Sequence, residues 1–377
     1  MTARRKTGRE ALAQARRVVV KIGTNALTHA TGKFHRGHFE KLAKELLALA
    51  EGRELIVVSS GAIALGVERM GLESRPKDIP GKQACAAVGQ SRLMRAWEEA
   101  LAPKLVAQVL LTHSDVQDRR RYLNARHALE RLISHGVVPV INENDTVSVD
   151  EIKFGDNDTL AGLVAGLVQA DVLIILSDVD GLFDADPRTN PNAKRIPLVE
   201  QVTPAMLKAA GGSGSTVGTG GMATKLKAAA RVTELGLRCV IAEGHRSGAL
   251  TGLFEGADLG TVFEPLASHR DARAAWIAHA LKPKGTLVVD DGARVALVEK
   301  KKSLLPSGLK EVKGQFAHGD PVDIAGPDGK PFARGLVAYS AEDLGRIAGL
   351  KSAQFESVLG WRGMDEAVHR DDLVVLE

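Results

Sequence analysis

The sequence predicts a three-layer α/β fold with a mainly parallel sheet, followed by a small β-rich domain. Three observations predict it. Apolar, β-branched runs alternate with helical patterns over about the first 265 residues, glycine- and acid-rich segments stand where those runs end, and after Glu264-Pro265 the texture changes to short alternating runs between turn signals.

Residues 18–22, 55–59, 106–111, 137–141, 172–176 and 239–242 read as buried strands, because continuous apolar runs bounded by turn residues suit a sheet covered on both faces. Helical periodicity covers 38–51, 82–101, 115–135, 158–169 and 222–236. Residues 266–284 read as a helix running into Lys282-Pro283-Lys284-Gly285. Strands are then expected at 286–289, 293–298, 320–325 and 333–339, separated by Asp291-Gly292, Ser307-Gly308, His318-Gly319-Asp320 and Asp328-Gly329. The expected division is a basic extension over 1–17, a catalytic domain over 18–265, a linker over 266–284 and a β-barrel domain over 285–377.

A chain of 377 residues with 44% hydrophobic content can bury more than one core. Only Cys85 and Cys239 occur, in apolar or helical stretches and without CxxC spacing. That excludes a disulfide framework or thiolate metal site and fits a reducing compartment. The net charge of +4 and pI near 9.0 suggest nucleic acid until the charge is located. Residues 1–17 hold six basic side chains against Glu10, a net of +5, which leaves −1 elsewhere. Such a tail has the composition of an organellar presequence but reads more simply as a solvated extension. The longest apolar run, 160–168, is too short to span a bilayer, so a soluble protein is expected.

Four elements carry the chemistry. Lys21-Ile22-Gly23-Thr24 ends the first strand, where a glycine admits backbone amides to a phosphate and the lysine supplies charge. Ser59-Ser60-Gly61-Ala62 ends the second and opens an apolar helix, so its hydroxyls and free amides suit an anion or act as a plain cap. Asn142-Glu143-Asn144-Asp145 follows the strand at 137–141, and Gly155-Asp156-Asn157-Asp158 precedes a helix; acids and amides there could hold an ammonium, water or Mg²⁺. The glycine-rich stretch 211–221 leads into a helix carrying Lys225 and Lys227 and reads as a phosphate-covering loop. Ser177-Asp178 closes another strand. Neither a P-loop nor a G-x-G-x-x-G fingerprint occurs. His29, His35 and His38 lack metal-ligand spacing, and Arg119-Arg120-Arg121 reads as a solvated helix face.

The motifs V-V-K-I-G-T, S-S-G-A-I-A-L-G, A-A-V-G-Q-S-R-L, L-N-A-R, P-V-I-N-E-N-D, G-D-N-D, D-G-L-F-D-A-D-P-R and G-T-G-G-M-A-T-K-L-K-A-A, in that order, resemble the bacterial glutamate 5-kinases of the amino-acid kinase fold. The segments around Ser303-Leu304-Leu305-Pro306, Arg346-Ile347-Ala348-Gly349 and Val368-His369-Arg370-Asp371 resemble their PUA domain. Ser177 stands where the family commonly has threonine, and the basic extension is unusual.

The resemblance implies ATP-dependent phosphorylation of the L-glutamate side-chain carboxylate to L-glutamyl 5-phosphate, the first step of proline biosynthesis. Lys21, Asp158 and Lys225 are then expected to be catalytic. Ser60, Gly61, Ala62, Asn142, Asp145, Asp156 and Asn157 are expected around glutamate. Lys21, Gly23, Ser177, Asp178, Thr219, Gly220, Gly221, Met222, Ala223, Thr224 and Lys225 are expected around ATP, with Mg²⁺ bridging its β- and γ-phosphates and no protein ligand named for it. It further implies feedback inhibition by proline, a cytoplasmic homo-oligomer (dimer or tetramer) and channelling to glutamyl phosphate reductase. RNA binding through the PUA domain is disfavoured, since residues 284–377 carry 13 basic against 15 acidic side chains. A regulatory amino-acid sensor without catalysis is opposed by the two lysines.

Overall fold

The computed structural model describes residues 8–28, 34–148, 157–211, 221–267, 277–278 and 282–376. Two compact units are present, the first built mainly from the chain before residue 270 and the second mainly from the chain after it. Among the described residues no helix is long and apolar enough to cross a membrane.

The first unit is a sheet of eight strands: β1 (Arg17–Ile22), β2 (Glu54–Ser59), β3 (Val106–Leu111), β4 (Val138–Glu143), β5 (Val172–Ser177), β6 (Leu198–Val199), β7 (Arg238–Glu243) and β8 (Thr261–Phe263). Its order is β3-β4-β2-β1-β5-β7-β8-β6, parallel except where β7 meets β8. The helices are α1 (Arg9–Leu12), α2 (Arg36–Ala50), α3 (Ala62–Arg69), α4 (Ile79–Leu101), α5 (His113–Gln117), α6 (Arg119–Ser134), α7 (Asn157–Leu167), α8 (Pro204–Gly211), α9 (Met222–Glu234) and α10 (Ala249–Phe254).

Strand alternation sorts the side chains of β1. Val18, Val20 and Ile22 join the core formed with α2, α4 and Trp97, so Lys21 projects to the opposite face. The chain runs from β1 to β2 on one side and returns to place β5 on the other. That reversal beside β1 is a switch point, where an open parallel sheet leaves a crevice beyond its strand ends.

Several expectations are corrected. β4 continues through Asn142 and Glu143, which the sequence placed in the following loop; both are buried and register with Leu110 and Leu111 of β3. α4 begins at Ile79 rather than 82, because Asp78 caps it through a 2.7 Å bond from Gly81 N and Pro80 fits a first turn. The pattern at 115–135 divides into α5 and α6. β6, β8 and α8 were not foreseen. Residues 8–17 of the expected solvated extension are packed: Leu12 and Ala15 are buried, Arg9 pairs with Asp258 at 2.8 Å, and Asp171 accepts from the Arg16 and Arg17 amides at 2.7 and 2.8 Å.

The second unit is a five-stranded sheet, β9 (Gly285–Val289), β10 (Leu309–Gly314), β11 (Pro321–Ala325), β12 (Pro331–Leu336) and β13 (Leu373–Val375), in the order β10-β9-β11-β12-β13. The strand expected at 293–298 is instead a helix, α11 (Asp291–Val298), which also absorbs the expected Asp291-Gly292 turn. Asp290 decides it by accepting from Ala293 N at 2.7 Å, satisfying a first-turn amide. Two helices, α12 (Ala341–Ile347) and α13 (Phe355–Leu359), and the strand β10 were not foreseen. Of the helix expected over 266–284, residues 277 and 278 are helical, 266, 267 and 282–284 are not, and 268–276 and 279–281 lie outside the described residues.

Candidate active site

Asp158 stands at the start of α7 and is 1% exposed. Its Oδ1 lies 2.6 Å from Nζ of Lys21, at the end of β1, and its Oδ2 lies 2.9 Å from Nζ of Lys225, in the first turns of α9. Thr224 Oγ1 is 3.0 Å from the same Oδ2. Burial opposes ionisation of this carboxyl, but Lys21 and then Lys225, by charge and by hydrogen bonding, hold it down at about 2. One carboxylate between two buried ammonium groups leaves a net +1 on the three side chains. A dry site with surplus positive charge is suited to an anion such as a phosphate. Gly23 serves the same cluster: a Cβ there would sit 3.2 Å from Lys21 Nζ.

Beside it lies a ladder of amides. Asn157 Nδ2 donates to Ser60 Oγ at 2.7 Å and to Asn142 Oδ1 at 3.2 Å, while Asn142 Nδ2 donates to Gln90 Oε1 at 2.9 Å. The direction of these bonds is fixed by the main chain, because Glu143 N donates to Asn142 Oδ1 at 2.8 Å and so requires oxygen there. Asn157 is thereby left with its oxygen turned away from both Ser60 and Asn142. Among the described residues that buried Oδ1 has no hydrogen-bond partner. Ser60 already accepts from Asn157, so its O–H remains available to donate. An unpartnered acceptor next to an available hydroxyl is the complement of a small molecule with both ammonium and carboxylate groups.

The serines of the second strand end divide their labour. Ser59 is buried and accepts from Trp97 Nε1 at 3.0 Å, which anchors the strand end to α4. Ser60 faces the ladder. Gly61 precedes α3 with φ +110°, a conformation that favours glycine, and Ala62 opens the helix. Asp145 sits half-buried in the turn after β4.

Across the sheet, Ser177 ends β5 buried, with Oγ donating to the exposed Asp178 Oδ1 at 3.0 Å. Gly244 N donates to Ser177 O at 2.7 Å and holds the neighbouring strand end against it. Gly221 caps α9, and Met222, Ala223 and Thr224 form its first turn ahead of Lys225. Lys227 is exposed on that helix. Asp156, Thr219 and Gly220 lie outside the described residues, as does His29.

The structure therefore brings Lys21, Gly23, Asp158, Thr224 and Lys225 into one cluster, and Ser60, Asn142 and Asn157 into another. Sequence reasoning assigned no role to Gln90 or Gly89. The A-A-V-G-Q-S-R-L motif contains both, but nothing in its spacing links it to residues 142 and 157. Among the described residues no three metal-ligating side chains converge, and both Asp158 oxygens face lysines. This donor set does not fit a divalent ion held by protein alone.

The chain matches the Amino acid kinase family over residues 16–243 and the PUA domain over 285–359. It is similar to the glutamate 5-kinase of Myxococcus xanthus (strain DK1622), with 66% identity covering 98% of this chain and 99% of that one. The glutamate 5-kinases of Anaeromyxobacter dehalogenans (strain 2CP-C) and Geobacter sulfurreducens (strain ATCC 51573) are 52% and 50% identical. They cover 98% and 97% of this chain, and the matches take in 98% and 99% of those proteins.

Proposed function

The chain belongs to the amino acid kinase family, and we propose that it transfers the γ-phosphoryl group of ATP to the side-chain carboxylate of L-glutamate, as its glutamate 5-kinase relatives do. The products are ADP and L-glutamyl 5-phosphate, which leads towards proline. The observation that carries the assignment of residues is Asp158 held between Lys21 and Lys225, with the buried, unpartnered Asn157 oxygen on the neighbouring residue.

A glutamate carboxylate, with an ordinary pKa of about 4.3, is already an anion at neutral pH and attacks without a general base. Asp158, held at about 2, is a poor base in any case and works by spacing the two ammonium groups. A carboxylate oxygen forms a bond to the γ-phosphorus while the bond from that phosphorus to the β,γ-bridging oxygen breaks, and ADP leaves with the electron pair. Charge spreads over the transferring oxygens, so the useful work is alignment and neutralisation. Lys21 and Lys225 neutralise. Ser60, Asn157 and Asp145 hold glutamate, with Gly61, Ala62, Asn142 and Asp156 close by. Gly23, Ser177, Asp178 and the 219–225 segment line the nucleotide.

The protein donor set would not hold a divalent ion alone, so any Mg²⁺ would have to be carried by the nucleotide's phosphates, where it would supply further neutralising charge. Likeness to the bacterial enzymes supports three further elements of the proposal: feedback by proline, a cytoplasmic homo-oligomer, and hand-over of the labile product to glutamyl phosphate reductase. The test is ADP release by the purified protein with ATP, Mg²⁺ and a panel of acids. Release that depends on glutamate and not on aspartate, carbamate or acetylglutamate is expected. Equal release with aspartate would overturn the substrate assignment.

A further inference from the structure

Gln90 projects from α4 into the amide ladder, and no step of phosphoryl transfer uses it. Its approach depends on the residue before it. A Cβ on Gly89 would lie 1.8 Å from the carbonyl oxygen of Ala62, so only glycine lets α4 come this close to the loop that carries Ser60. The proximity lets Gln90 Oε1 accept from Asn142 Nδ2 at 2.9 Å. Asn142 is 2% exposed and cannot turn to water for another acceptor.

We propose that Gln90 is a positioning residue for the amino-acid substrate, acting through Asn142 to hold in place the Asn157 amide and with it the unpartnered Asn157 oxygen. Three bonds transmit the effect. Glu143 N sets the direction of the Asn142 amide and Gln90 Oε1 holds its nitrogen end in place, Asn142 Oδ1 receives Asn157 Nδ2, and Asn157 Oδ1 is left to accept from the substrate ammonium. Gln83, two helical turns earlier on α4, supports the same strand end by donating to the carbonyls of Thr146 and Ser148 at 3.4 and 3.3 Å. One helix thus braces both the ladder and the turn containing Asp145. The proposal rests on the glutamate kinase reading of the site.

The experiment is a double-mutant cycle with Gln90→Met and Asn142→Ala in the full chain, read as separate KM values for glutamate and ATP. Gln90→Met is expected to raise the glutamate KM about tenfold with the ATP KM unchanged. The double variant is expected to be no worse than Asn142→Ala alone, because the glutamine acts only through that asparagine. Wild-type glutamate KM in Gln90→Met, or additive effects in the double variant, overturns the proposal. If Gln90→Met fails to fold, Gln90→Glu keeps an oxygen opposite Asn142 and is expected to retain a lower glutamate KM than Asn142→Ala; an equally high KM overturns the proposal. A folded wild type without glutamate-dependent ADP release removes the functional reading itself. Activity in the wild type with an unaffected Gln90→Met removes only the role of Gln90.

Discussion

Lys225 and Asp158 meet at 2.9 Å although 67 residues separate them in the chain, because each lies near the start of a helix that opens over the same crevice. Lys21 completes the arrangement from the end of β1. Loss of one member should therefore have different effects depending on whether it leaves a charge unpaired or only removes one from the substrate.

Lys225→Ala should lower kcat by about a hundredfold or more with the glutamate KM little changed, since its ammonium acts mainly on charge that develops during transfer. Initial rates at saturating ATP measure this. Near-normal turnover would remove Lys225 from the catalytic set.

Asp158 stands at about 2, against an ordinary 3.8, so its folded-state pKa is depressed. Its contribution to stability is present above about pH 4 and is lost as pH falls towards 2. The melting temperature of the wild type should fall more steeply over that interval than that of Asp158→Asn. The variant should also melt lower at pH 7, since two buried ammonium groups lose their counter-charge. Parallel pH profiles would contradict the ion-paired state.

Asp145→Ala should raise the glutamate KM roughly tenfold or more and leave the ATP KM almost unchanged, as expected on removing a charged partner of a bound ammonium. A rise in the ATP KM alone would mean that the two substrates divide the crevice differently.

Gly89→Ala should destabilise the fold by about 1–3 kcal/mol, the usual cost of overpacking, because its Cβ would collide with the backbone oxygen of Ala62. Thermal unfolding measures this. An unchanged melting temperature would show that α3 and α4 can separate freely.

Legibility in the sequence followed the range of the forces involved. β1, β2, β5 and β7 were readable because strands covered on both faces are continuous apolar runs, and their ends marked the site; β3 was found too, but it is a half-buried edge strand with Gln108 exposed rather than the buried strand expected at 106–111. Residues 293–298 were misread because A-R-V-A-L-V satisfies both a period of 2 and a helical turn; the deciding group, Asp290, lies just outside the run. The packing of residues 8–17 was hidden by the charge of the segment, which drew attention away from Leu12 and Ala15. Lys21, Asp158 and Lys225 each stood beside a local signal of a strand end or helix start. Gln90 had none, since its partner Asn142, and Asn157 beyond it, come from a strand and a helix distant in the chain, and only the close crossing at Gly89 brings Gln90 to them.

The bond from Glu143 N to Asn142 Oδ1 has an evolutionary consequence. A peptide N–H is encoded by no particular side chain, so drift at the surrounding positions cannot reverse the polarity it imposes on Asn142 and Asn157. With both asparagines kept, reversing that polarity for a substrate that lacks an ammonium group would require redirecting the end of β4, by an insertion or a proline, and the sheet register would resist either change. Substrate preference in this lineage should be far less evolvable towards deaminated acids than towards amino acids of other lengths.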